Sequence, residues 1–171
     1  MRHLLKFIFI IFFLFELSGC GYKPSSKYSR IIVGEKISTN VVISAQDPEN
    51  TVLIKDAVDR AIIETFRASL VDKKHATTHL TFSISKPRYT PIQYNTDGFV
   101  IAYRATITLH ILRETKNIKK RYRAIGTYDF TIAPNAVITD QERFNAIKYS
   151  TQKAIASFIA QVSAEGSRVG E

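Results

Sequence analysis

"FVIAYRATITLHILRETKNIKKRYRAIGTYDFTI", Phe99 to Ile132, alternates twice, with a charged break in the middle. Before the break Phe99, Ile101, Tyr103, Ala105, Ile107, Leu109 and Ile111 occupy every second position, and after it Tyr122, Ala124, Gly126, Tyr128, Phe130 and Ile132 do the same. A period of two places each set on one side of a strand, so the stretch reads as two long strands closed by the basic tip "RETKNIKKRYR". The intervening positions are mostly Thr, Arg and Lys, which predicts one covered sheet face and one that is wet or held against a partner. Upstream, Leu80, Phe82 and Ile84 make a shorter alternating strand, and the three form an antiparallel meander.

Two amphipathic segments are available to cover the apolar face. After Asp47-Pro48-Glu49, Ile54, Val58, Ile62, Phe66 and Leu70 recur every four residues, with Lys55, Asp56, Asp59 and Glu64 off that stripe. Near the end, Thr139-Asp140-Gln141-Glu142 has the spacing of a capping box, in which Glu142 reaches back to the Thr139 amide. Phe144, Ile147, Thr151, Ala154, Ile155, Phe158, Ile159 and Val162 then share one helical face until Gly166, which reads as the stop. With "TNVVISA", Thr39 to Ala45, as a first strand, the expectation is an α+β two-layer sandwich over residues 39–166. Two helices pack on a four-stranded, mostly antiparallel sheet in the order β-α-β-β-β-α, and residues 167–171 form a tail.

The chain has 171 residues, enough for one domain that buries about two thirds of its unfolded surface. It is 45% hydrophobic and 23% charged, as globular proteins are. Lys and Arg number 24 against 15 Asp and Glu, for a net charge of +9. Such a surplus favours an anionic partner, whether nucleic acid, acidic headgroups or a phosphorylated glycolipid.

The N-terminus decides where that partner is met. Arg2 and Lys6 precede an uninterrupted apolar run from Phe7 to Phe15, too short to span a bilayer, which is the shape of a signal peptide over residues 1–19. Leu17-Ser18-Gly19-Cys20 follows and resembles the lipobox of bacterial lipoproteins, in which the cysteine is lipidated and becomes the first residue of the mature chain. The thiolate is the side-chain nucleophile best suited to take a diacylglyceryl group, and Cys20 is the only cysteine in the sequence. Its acylation leaves no thiol for disulfides or catalysis. Residues 20–38, with Gly21, Pro24 and Gly34 and no sustained periodicity, read as the lipidated N-terminus and a tether. Gly21 stands where lipoproteins retained at the inner membrane typically carry Asp, which implies the outer membrane, periplasmic side. Export, and the lack of aromatic and basic residues interleaved at a recognisable RNA-binding spacing, argue against a nucleic-acid role.

No glycine-rich phosphate loop, no His-Glu-x-x-His and no paired cysteines occur in the sequence, so no enzyme, cofactor or metal site is expected. His75 and His79 are four apart, but His75 falls in the polar connection "DKKHATTH". His110 falls on the polar face of the long strand, and Asp97 precedes Gly98 in a turn. What stands out is charge: Lys119, Lys120, Arg121 and Arg123 at the hairpin tip, with Arg88 near the other hairpin, are the candidate contacts for an anion such as a phosphate or phosphosugar.

The lipobox with "CGYKP", the strand "NVVISAQDP", the helix "TVLIKDAVDRAIIETF", the alternating strands and the closing helix after "TYDFTIAPNAVITDQE" together resemble the LPS-assembly lipoprotein LptE family. The resemblance implies a non-catalytic lipoprotein, held at the outer membrane by its N-terminal lipid anchor. It also implies that the protein plugs and helps assemble the LptD β-barrel and takes part in delivering lipopolysaccharide to the outer leaflet. Family members can carry a basic residue between the last strand and the closing helix; here Ala133 to Thr139 has none. The alternative is a periplasmic lipid-anchored adaptor of another secretion or surface-assembly machine. A lipid-anchored hydrolase would need an acid–base pair in a cleft, and His110, Asp97 and His75 are the residues it would draw on.

Overall fold

The computed structural model describes residues 25–42, 68–116 and 118–169, together with 55, 58–60 and 63–64 of the segment between the first two. Its elements are α1 (Ser25–Val33), β1 (Lys36–Val41), β2 (Ser69–Leu70), β3 (Thr78–Ile84), β4 (Arg88–Tyr94), β5 (Val100–Thr115), β6 (Ile118–Thr131) and α2 (Asp140–Val169), with a 3₁₀ turn at Lys73–His75. The α+β class is as expected. The sheet, however, is mixed and six-stranded among the described residues, not four-stranded and mostly antiparallel.

The 16-residue β5 organises the sheet. Along one side it pairs antiparallel with β6, from Ala102↔Thr131 to Thr115↔Ile118. Along the other, β3 takes residues 109–115 and β4 takes residues 100–106, so these two strands lie end to end beside it. Beyond β3 comes β1, parallel to it in the register Ile37↔Thr78 to Val41↔Phe82, and β2 in turn pairs parallel with β1. Parallel neighbours need a long crossover, and here it contains the helical residues 55, 58–60 and 63–64. Of the stripe expected there, Val58 is buried, Leu70 lies in β2, and Ile54, Ile62 and Phe66 fall outside the described residues. β1 begins three residues earlier than "TNVVISA", whose last part is likewise outside them.

The core lies between the odd-numbered face of β5 and α2. Ala105, Ile107, Leu109 and Ile111 from β5, Leu80 and Phe82 from β3, and Ala124 from β6 are buried against Ile147, Ala154, Ile155, Phe158 and Val162 of α2. Phe158 sits edge-on to Phe82 and Tyr122, with centroids 5.9 and 5.4 Å away. The capping box forms as expected: Glu142 Oε2 accepts from the Thr139 amide at 2.8 Å, and the Glu142 amide donates to Thr139 Oγ1 at 3.2 Å. Two orphan donors at the start of α2 are thereby satisfied. Among the described residues no helix is long and apolar enough to cross a membrane.

Two expectations need correction. Within the segment read as tether, Ser25–Val33 is a helix packed against α2, ended by Gly34, whose φ of 79° and amide bond to Arg30 O at 2.8 Å make an αL stop. Gly166 does not stop α2, which continues to Val169; a Cβ there would stand 1.9 Å from the Tyr28 carbonyl oxygen, so the glycine lets α1 and α2 touch backbone to backbone.

Candidate functional site

The alternation that builds the core also sorts the basic hairpin. Lys119, Arg121 and Arg123 stand opposite Glu114, Leu112 and His110, so all three project from the face turned away from α2. Lys120 stands opposite Arg113 on the other face, where its Nζ lies 2.9 Å from Glu165 Oε2 and 5.5 Å from the Tyr122 ring centre. Arg88 is opposite Thr106, on the same open face as Arg121 and Arg123. It is four rungs of β5 and two strands away from Arg123, about 16 Å by standard strand spacings. The structure therefore groups Lys119, Arg121 and Arg123, places Lys120 on the opposite side, and leaves Arg88 apart.

Their electrostatic settings differ too. Lys119 is tied to Glu114 at 2.6 Å, and that bond holds the Glu114 carboxyl below its ordinary value against the upward push of partial burial. Arg88, Arg121 and Arg123 are exposed, and no ion pair engages them among the described residues. The rest of the open face is mostly polar: Thr81, Ser83, Thr106, Thr108, His110 and Thr127 line it, interrupted by Leu112 and Ile125, and Arg104 forms a two-pronged pair with Asp129 at 2.7 and 2.8 Å. Free guanidinium groups on such a surface suit phosphate oxygens, which they meet with paired N–H donors.

Behind the tip, on the α2 side, is a network that the sequence reading did not single out. Arg113, 5% exposed, donates through Nη2 to Glu165 Oε1 at 3.2 Å, while Tyr122 donates its hydroxyl to Glu165 Oε2 at 2.6 Å. Burial pushes the Glu165 carboxyl up, but the Tyr122 hydroxyl, Lys120 and Arg113 together outweigh it and hold the group below the ordinary range. Burial and the same carboxylate push the Tyr122 phenol up to about 12. The signal was present: Arg113 continues the odd-numbered apolar stripe of β5 inward, and Glu165 follows Phe158 and Val162 on the buried face of α2.

The remaining candidates are dispersed. His79 Nδ1 is 2.6 Å from Ser38 Oγ, and burial followed by Lys73 lowers its pKa. His110 Nε2 is 3.3 Å from Ser85 Oγ. Asp97 lies in the β4–β5 turn, its amide donating to Asn95 Oδ1 at 3.1 Å. His75 borders an open cleft of about 540 Å³ with Thr39, Asp59, Leu70, Val71 and Asp72. The Asp59 carboxylate in that cleft is taken up by Thr39 Oγ1 and Lys55 Nζ, both at 2.5 Å. No three metal-ligating side chains converge among the described residues. Cys20 lies outside them.

At the far end of the hairpin from the tip, the core face carries an aromatic row. Phe130 stacks on Tyr103 and Tyr128 with centroids 6.1 and 6.4 Å apart, Tyr89 meets it edge-on at 6.3 Å, and Tyr149 of α2 leans on Tyr128 at 4.9 Å. These rings are partly exposed and continue the core beyond the first turns of α2.

Comparison with known proteins places this arrangement. The fold is shared with rare lipoprotein B from Shewanella oneidensis, at a TM-score of 0.55 and 13% identity, over 80% of this chain and 100% of that one. A putative lipoprotein from Caulobacter crescentus is similar at a TM-score of 0.54 and 7% identity, over 84% and 96% of the two chains. A minor lipoprotein from Acinetobacter baumannii gives 0.51 and 10%, over 77% and 92%. No curated protein sequence matches the chain. The family model for LptE, lipopolysaccharide-assembly, matches residues 38–162, a span from β1 to the buried middle of α2 that takes in both faces of the hairpin. With well over half of its length covered, the chain belongs to the LptE lipopolysaccharide-assembly family.

Proposed function

We propose that the protein is a non-catalytic lipoprotein, anchored through acylated Cys20 to the periplasmic side of the outer membrane. It seats in the lumen of an LptD-type β-barrel and takes part in passing lipopolysaccharide to the outer leaflet. The observation that carries this reading is the family match over residues 38–162. The open sheet face supports it, because a polar surface of Thr, Ser, His and Arg side chains suits the polar interior of a large barrel.

The same face supplies the lipopolysaccharide contact. Arg121 and Arg123, two residues apart on one side of β6, form the centre of an anion site, with Lys119 beside them and Arg88 as an outlying contact. Lys120 contributes less, since Glu165 already holds it on the other side. Arg121→Glu with Arg123→Glu is expected to weaken lipopolysaccharide binding by at least about tenfold, a loss of two charge-assisted contacts. Lys120→Glu leaves binding within about threefold. Both are measured by titrating the purified protein with fluorescent lipopolysaccharide at fixed salt. Unchanged binding in the double variant removes these arginines from the site.

A further inference from the structure

The fold brings the N-terminus to the same end of the molecule as the hairpin tip. Tyr28, in α1, touches Gly166 of α2, next to Glu165, which holds Arg113, Tyr122 and Lys120 just behind the tip. The chain then turns at Gly34 into β1, whose Ile37 is level with Thr78 and, across β3, with Thr115 at the tip of β5. Only four residues separate Cys20 from Ser25, the start of α1, which makes five backbone steps. Even fully extended they reach about 17 Å. A body tethered there keeps this end close to the lipid, while Tyr128, ten residues down β6 from Ile118, stands about 33 Å farther along the strand.

This end is also strongly basic. Lys73 and Lys74 of the 3₁₀ turn, Lys116 and Lys119 of the tip, Lys36 at the start of β1 and Arg168 near the end of α2 are all exposed. Lys73 is close enough to Glu114 and His79 to depress both pKa values, which places the turn beside the tip. The acids here among the described residues are Glu35, Asp59, Asp72, Glu114 and Glu165, and all but Asp72 are already paired, with Arg30, Lys55, Lys119 and Lys120 respectively.

We propose that this basic end docks on the anionic phospholipid headgroups of the leaflet that holds the lipid anchor. The basic end of the lipoprotein is thereby held at the level of those headgroups, at the periplasmic mouth of the barrel. The inference rests on the anchoring of Cys20 proposed above. It uses the end of the molecule, whereas the lipopolysaccharide contact uses the open face of β6. Lysines held within a Debye length of anionic headgroups are attracted to them, and added salt weakens that attraction.

The test uses the full-length lipoprotein purified from membranes, with its intact mass recorded and its flotation with neutral phosphatidylcholine vesicles checked first. It is then labelled with a membrane-impermeant lysine acetylating ester on vesicles of phosphatidylcholine alone and on vesicles containing about a third phosphatidylglycerol. Acetylation at Lys73, Lys74, Lys116 and Lys119 is expected to slow about fivefold on the anionic vesicles and to recover in high salt, with Lys148, beside the aromatic row, unchanged. Lys73→Glu with Lys74→Glu, both exposed, releases Lys116 from protection. Equal labelling on both vesicles for a floated, acylated chain overturns the docking and leaves the anchor standing. A chain without acyl mass that does not float overturns both. Protection that develops only when lipopolysaccharide replaces phosphatidylglycerol at equal charge assigns the surface to the glycolipid and overturns the phospholipid assignment.

Discussion

Gly126→Ala is expected to destabilise the fold by about 3 kcal/mol, the upper part of the range for overpacking a filled contact. For a domain of this size the thermal midpoint then falls by about 6–12 °C. A Cβ at position 126 would lie 1.9 Å from Ser150 O and 2.3 Å from the Ala154 amide nitrogen. Both atoms are α2 backbone, so no side-chain rotation relieves the clash, and the helix must lift from β6. Lifting it loosens the packing of Ile147, Ala154 and Phe158 at once. Thr127→Ala, one residue on and facing the open side, is the control and changes stability by no more than about 0.5 kcal/mol. Calorimetry of the two variants checks the pair; a Gly126→Ala midpoint within about 2 °C of wild type means that α2 is not seated on β6 as described.

The second large effect is electrostatic. Glu165→Leu leaves Arg113 buried with no carboxylate and takes the acceptor from Tyr122, a loss of about 3 kcal/mol, at the low end for breaking a buried pair because Glu165 retains some solvent contact. Among the described residues the Nε and Nη1 atoms of Arg113 have no hydrogen-bond partner, so without Glu165 the guanidinium keeps only the Tyr122 ring, 5.7 Å from it. The effect depends on pH. The folded-state pKa of Glu165 is depressed, so its contribution is complete above the unfolded value of about 4.5 and is lost as pH falls through the lower folded value. Urea midpoints from pH 7 down to pH 3 are expected to decline less steeply in Glu165→Leu than in wild type, with the two curves converging in acid. Parallel curves would show that the carboxylate does not carry this charge pairing.

Periodicity made the sheet and α2 legible, because each stripe reports a face that must be buried. The period of two from Phe99 to Ile132 announced β5 and β6, and the Thr139–Glu142 spacing marked the start of α2 to the residue. It also sorted the tip charges: Lys120 shares the parity of Tyr122 and Ala124, which face the helix, whereas Lys119, Arg121 and Arg123 do not. Grouping all four by charge density alone, as the sequence reading did, overlooks that rule.

The parts that were not legible are those whose structure is imposed from outside. α1 is nine residues long, too short to be stable alone, and it is held by Tyr28 against Gly166 and by Val33 in the core. β4 is exposed over most of its length, contains Pro91 and shows no alternation, since backbone pairing with β5 holds it rather than burial. Gly166 was read as a helix stop because a glycine needed for close packing looks in sequence like one needed for a left-handed cap. The parallel placing of β1 beside β3 leaves no local mark at all, as only the crossover between them determines it.

The central claim concerns a partnership, and it is tested most directly by isolating the lipoprotein from outer membranes in mild detergent and identifying what remains bound. The account predicts an equimolar complex with a single large β-barrel that survives size-exclusion chromatography, together with acyl mass on Cys20. A lipoprotein that elutes by itself, or that brings down a different envelope machine, would contradict it.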